Sequence, residues 1–253
     1  MNDRTHGRTR PRDKSIAGQG EAQLGGFASV LVRQRRDHAR LDRLLHELEE
    51  SRGAAQKRVL IRIRRLVFPH AFAEEALLWP VIRRVLPDGE NLTLQVEEEH
   101  QEVNELVFRL EGDSLSPFER RDLLDRLVEV LREDVRDEED ALLPCLQEKL
   151  SVRQLRRLGI AWEAVRRTAP TRSHPVVSRR PPGNVLAALP LTVLDNLRDL
   201  CDVTAHKAGP AAPALERTSH TLARAAGRIE RLGIMRGGER ATTHMADPSA
   251  PDH

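Results

Sequence analysis

Two stretches of the chain carry residue types that bind metal ions. The first reads His70-Ala71-Phe72-Ala73-Glu74-Glu75-Ala76-Leu77-Leu78-Trp79-Pro80, and the second Asp134-Val135-Arg136-Asp137-Glu138-Glu139-Asp140-Ala141-Leu142-Leu143-Pro144. In both, a candidate ligand stands four residues before a Glu, a second acid follows, and a Pro closes the unit ten residues on. His38 lies 32 residues before His70, and His100 lies 34 residues before Asp134. Residues four apart on a helix differ by only about 40° around its axis, so each stretch presents two donors from one face. Imidazole and carboxylate donors without thiolate suit iron or manganese; zinc is an alternative, and copper is less well matched.

The hydrophobic pattern decides which way these donors point. His38 falls on an apolar row with Leu31 and Leu45, beside Leu41 and Leu48, where a satisfied core histidine is the alternative to a ligand. The seam Val59, Ile63, Leu66 and Val67 continues through His70, Glu74 and Leu77; a buried His–Glu hydrogen bond is the alternative there. His100 shares its face with Val96, Val103 and Val107. Asp134 and Glu138 replace apolar residues in the row Leu124, Leu127, Leu131 and Leu142. Like charges one turn apart repel, more strongly in a low dielectric, so this pair calls for a cation or a raised pKa unless the row rotates toward solvent. Glu75, turned a further ~100° around the helix, is expected at the surface or behind a ligand. Asp42 and His46 are expected to pair with surface arginines. His174, His206, His220 and His244 lack partner spacing and are read as non-ligands.

Helices must carry these positions. Charged residues make up 32% and hydrophobic ones 39%, with few aromatics and no Tyr, a composition of long amphipathic helices. Periodicity predicts helices over about 27–51, 54–79 and 91–111, and a fourth that opens at Ser116-Pro117 with Glu119 as its capping partner. Pro80 is expected to kink or end the second. The expected architecture is all-α: a basic disordered arm over 1–20, an up-down-up-down four-helix bundle over 27–150, and an extra helix over 151–168. A Pro-rich linker over 169–184, a helical extension over 185–235 and a disordered tail over 236–253 follow. The net charge of +2 argues against nucleic acid as a partner, and no apolar run approaches the ~18 residues of a membrane span. Cys145 and Cys201 form no CxxC pair, which points to a reducing cytoplasm.

In such a bundle His38, His70, Glu74, His100, Asp134 and Glu138 converge at one level, enough to hold two metal ions if carboxylates bridge. The set Asp37-His38, His70-x3-Glu74-Glu75 ending in Trp79-Pro80, Glu99-His100, and Glu138-Glu139 with Leu143-Pro144 resembles the hemerythrin-like HHE cation-binding domain over about 30–150. The stretch from His174-Pro175 to Pro182-Gly183, with Asp195 to Asp199, resembles the C-terminal extension of actinobacterial members. The resemblance implies a non-haem di-iron centre (Fe2+/Fe3+) that binds, senses or reacts with O2, NO or H2O2. The chain departs from the pattern at Asp134, where the family has His, and at Asn104, where oxygen carriers have a further His. Both changes enrich the site in oxygen donors and make reversible O2 carriage doubtful. Without Tyr, no tyrosyl radical can form. Trp79 and Phe72 are read as core packing. The alternative function is an interaction or regulatory module whose metal site has decayed and whose C-terminal helices contact a protein. A third is DNA-associated protection through the arginine-rich arm and last helix. No nucleotide loop, nucleophile elbow or zinc-protease motif supports a hydrolase or kinase.

Overall fold

The computed structural model describes residues 15–111, 115–174, 176–178, 180–205 and 211–237, and within them the regular secondary structure is helical, without strands. Helix α1 (Val30–Glu50) is capped by the Ser29 hydroxyl, and α2 (Gly53–Ala73) follows after a two-residue corner. Gly53 opens α2 at φ +57°, a left-handed conformation that costs glycine little. Helices α3 (Trp79–Val85), α4 (Gly89–Leu110), α5 (Pro117–Asp137), α6 (Leu143–Lys149) and α7 (Val152–Arg167) complete the first part. The start of α5 is the expected capping box, with Ser116 and Glu119 satisfying each other's amides. The extension contributes α8 (Gly183–Ala205) and α9 (Ala212–Glu230), which pack on each other.

Pro80 does not end the second helix. Glu74–Leu78 forms a π turn, with the Trp79 amide bonded to the Glu74 carbonyl, and the helix continues through Pro80 to Val85. The widened turn accommodates a ring that would otherwise strike the carbonyl four residues back. Glu138–Leu142 repeats the same device before Pro144. The two sequence copies are thus copies of one backbone irregularity, and in each the π turn begins at a candidate ligand.

Helices α1, α2, α4 and α5 share a core of Leu, Val and Ile at one end of the bundle. A second core, built from Leu31, Val96, Leu78, Trp79, Leu142 and Trp162 among others, fills the opposite end. The six candidate ligands fall between them: His38 between Leu31 and Leu41, His100 between Val96 and Val103, and Asp134 and Glu138 between Leu131 and Leu142. A single polar layer is enclosed by two apolar ones.

Two expectations are overturned outside the bundle. The arm expected over 1–20 is packed from residue 15: Ile16 is fully buried and its amide bonds the Glu139 carbonyl, while residues 1–14 lie outside the described part. The expected linker over 169–184 is docked. Arg172 bonds Asp199 at 2.7 Å, and Asp199 also receives Arg64 of α2 at 3.2 Å. Arg180 reaches the fully buried Glu97 at 2.7 Å. Proline keeps such a segment out of helix, but its side chains and amides still find partners far away in sequence. Of the tail, Arg236 closes the last short turn and the Gly237 carbonyl accepts from Gly183; residues 238–253 lie outside the described part.

His174 is the charged centre of this docking, 3.0 Å from Asp195 on α8 and 2.8 Å from Glu230 on α9. Burial opposes its charge, but the two carboxylates outweigh that and hold its pKa up at about 9. A raised pKa contributes stability that is complete below the unfolded value and lost as pH rises through the folded one. Stability against unfolding is therefore expected to fall between pH 7 and 10 by on the order of 1–3 kcal/mol more in the native chain than in His174→Gln. Equal losses in the two proteins count against this role for His174.

Candidate metal centre

All six residues singled out by spacing meet in the polar layer. One donor atom from each of His38, His70, Glu74 and Glu138 lies within 4.8 Å of the others, and the same holds for His100, Asp134 and Glu138. The two groups share Glu138. Glu74 also reaches both sides, with Oε1 at 3.0 Å from His70 Nε2 and Oε2 at 3.6 Å from His100 Nε2. His38 Nε2 stands 3.3 Å from His70 Nε2 and 3.1 Å from Glu138 Oε2, and Asp134 Oδ1 lies 3.5 Å from His100 Nε2.

Each imidazole is held from behind by an acid adjacent in sequence to a candidate ligand. Glu139 faces His38 Nδ1 at 2.8 Å, Asp37 faces His70 Nδ1 at 3.3 Å, and Glu75 faces His100 Nδ1 at 2.9 Å. A carboxylate on Nδ1 keeps a proton there, so that a metal ion displacing the Nε2 proton would meet a lone pair aimed inward. Glu75 is accordingly buried and not at the surface. Buried Gln34 completes the surround, its amide donating to Glu74 Oε1 at 2.5 Å. Trp79 stacks near His100 and Trp162 of α7 meets His70 edge-on, so the core aromatics also fix the rings. Asp42 and His46 stay exposed, bonded to each other.

The donor set fits a cation on electrostatic grounds. Glu74 Oε2, Asp134 Oδ1 and both oxygens of Glu138 are buried and accept no well-aligned hydrogen bond among the described residues, their nearest polar neighbours being the histidine Nε2 atoms. Six carboxylates (Asp37, Glu74, Glu75, Asp134, Glu138 and Glu139) crowd three imidazoles, and even three imidazolium charges leave an excess of negative charge. Burial, then the Glu74 and Asp134 carboxylates, push Glu138 up to about 8 against the pull of His38. Burial opposes charge on His38, yet Glu138 and Glu139 hold it up at about 9. Groups so far from their ordinary protonation, with orphaned oxygens aimed at one point, are the environment that metal ions relieve.

Residues 30–146 match the hemerythrin HHE cation-binding domain. Those residues belong to the hemerythrin HHE family. The hemerythrin domain is also similar, at 27% identity over 134 residues, to an uncharacterized hemerythrin-like protein of Schizosaccharomyces pombe; the match covers 53% of this chain and 66% of that one. It is 26% identical over 133 residues to a DNA nickase of Nostoc sp., covering 52% of this chain and 37% of the nickase. The chain thus spans less than two thirds of either relative. No solved structure matches significantly.

Asn104 does not point at the centre. Its side-chain oxygen accepts from the Ser173 hydroxyl at 2.6 Å and from the His174 amide at 3.1 Å. The position one turn beyond His100 is used here to fasten the C-terminal extension. The missed supporting acids Asp37, Glu75 and Glu139 had a signal in the sequence, since each adjoins a candidate ligand, but which histidine each reaches depends on how neighbouring helices pack. Among the described residues no helix is long and apolar enough to cross a membrane.

Proposed function

We propose that His38, His70, Glu74, His100, Asp134 and Glu138 hold two iron ions, and that the protein binds, senses or reacts with a small oxidant, O2, NO or H2O2. The observation that carries this reading is the set of four orphaned carboxylate oxygens facing three inward Nε2 atoms. When bound, an iron pair supplies open coordination positions and one-electron redox chemistry. The protein's own contribution is to orient and exclude. Asp37, Glu75 and Glu139 hold the Nδ1 protons, and the two apolar cores bound the layer on either side. Three carboxylates against three imidazoles form a hard donor set that favours the ferric state. That preference supports oxidant chemistry or sensing over reversible carriage, and iron over zinc, with manganese the nearest substitute. The free cysteines Cys145 and Cys201 fit a reducing compartment, the cytoplasm.

The test is metal content by mass spectrometry beside the ultraviolet–visible spectrum, for the native chain and Asp134→His. The expected result is two irons per chain with ligand-to-iron charge-transfer absorption, its bands shifted in Asp134→His as imidazole replaces carboxylate. A colourless native chain below one iron, with iron regained in Asp134→His, would instead establish a decayed site. An interaction role for the extension then becomes the better reading, and the exposed Leu189, Val193 and Leu200 of α8 are the surface it would use.

A further inference from the structure

A cleft separate from the polar layer runs between α2, α4 and α5 of the bundle and α8 and α9 of the extension. Neither the six candidate ligands nor the acids behind them line it. Its bundle side is largely apolar, with Leu60, Ile61 and Leu115 reaching solvent beside buried Ile63, Leu110 and Leu127. Facing them from the extension are Arg172, Arg198 and Asp202. We propose that this cleft binds an organic carboxylate with an apolar body, its carboxylate received by Arg198 and its body lying against the apolar side. The proposal is independent of the iron reading.

The cations around the cleft are not equally engaged. Arg172 is held by Asp199 and Asp202, and Arg64 by Glu111 and Asp199. Arg198 is different: it is half-buried, and its Nε is buried without a hydrogen-bond partner among the described residues. Burial, then the charge of Arg172, press its pKa below the ordinary guanidinium value, against the pull of Glu111, Asp195 and Asp202. A guanidinium still keeps its proton at neutral pH, so the fold holds a cation here that its neighbours do not fully compensate. A buried donor without an acceptor is costly, and a carboxylate relieves it with two parallel hydrogen bonds to Nε and one Nη. One vacant guanidinium edge matches one carboxylate. Two further cations border the same cleft, exposed Lys57 and Arg120, which donates to the Leu110 carbonyl at 3.1 Å, and both attract an anion to it. The apolar side supplies the rest of the recognition, since a hydrocarbon body laid on Leu60, Ile61 and Leu115 removes apolar surface from water on both partners. A ligand so placed touches bundle and extension together.

The test is isothermal titration of octanoate into the full-length chain, as purified and again after chelation. Octanoate is expected to bind both forms with the same affinity, because the cleft lies apart from the metal centre. Octanol and acetate, which carry only the body or only the charge, are expected to bind at least about tenfold more weakly. Arg198→Gln is expected to weaken octanoate by about tenfold. Ile61→Glu, a change at an exposed position that sets a carboxylate against the incoming one, is expected to weaken it as well, and it decides the question if Arg198→Gln does not fold. No octanoate binding to the native chain, binding lost on chelation, or binding unchanged in the folded variants overturns the proposal. Inorganic phosphate bound as tightly as octanoate also overturns it, since the apolar side would then contribute nothing.

Discussion

Glu138→Gln is expected to lose both metal ions, whereas Asp134→Ala is expected to keep about one. The difference follows from position. Glu138 belongs to both ligand groups, while Asp134 belongs only to the group around His100. Removing a shared carboxylate takes a donor and a negative charge from each ion at once, and removing a terminal one leaves the His38–His70 side with four donors. The same variant should melt at a higher temperature than the native chain when both are metal-free. Burial and the Glu74 and Asp134 charges already push the Glu138 carboxyl up to about 8. A neutral amide of the same shape avoids that repulsion, by about 1–2 kcal/mol, the size of effect commonly found when a functional site is relieved of strain. Calorimetry after chelation and metal analysis after reconstitution check the two halves separately. A Glu138→Gln protein that retains two ions would remove Glu138 from the ligand set.

The polar layer was more legible than what surrounds it, for a physical reason. A polar residue that interrupts an apolar row is constrained by the helix it sits on, so the seams through His38, His70, His100 and Asp134 brought all six candidate residues to one layer. The repeat of acid pairs followed by Pro coincides with both π turns, which the sequence reading did not foresee, since Pro80 by itself reads as a kink or a helix end. Contacts made across the fold have no such period. Asp37 and Glu139 each sit beside a candidate ligand, yet their roles depend on α2 and α1 lying opposite them. The docking of 169–184 was invisible because proline content reports on backbone shape, whereas Arg172–Asp199, His174–Asp195 and Asn104–Ser173 are pairings set by tertiary packing. Asn104 is the instructive residue: read as a weakened ligand, it is an anchor.

Ferrous iron added anaerobically to the chelated protein is expected to raise its melting temperature substantially, and magnesium is expected to leave it nearly unchanged. Without a cation, the layer between the two cores sets four helices against one another through buried like charges. On the proposed reading, a metal pair would join α1 through His38, α2 through His70 and Glu74, α4 through His100 and α5 through Asp134 and Glu138. Binding to the folded state alone stabilises by about 2.7 kcal/mol at a free concentration of ~100 Kd. For a chain of this length that corresponds to roughly 5–10 °C. Magnesium separates coordination from screening. It carries the same charge but prefers six oxygens and keeps its waters, so three imidazoles offer it little. Equal shifts from the two ions would mean that the layer responds to positive charge in general, and the six residues would then be an acidic cluster and not a ligand set. A shift with iron alone, reduced by Asp134→Ala and abolished by Glu138→Gln, follows only if the shared carboxylate joins two ions.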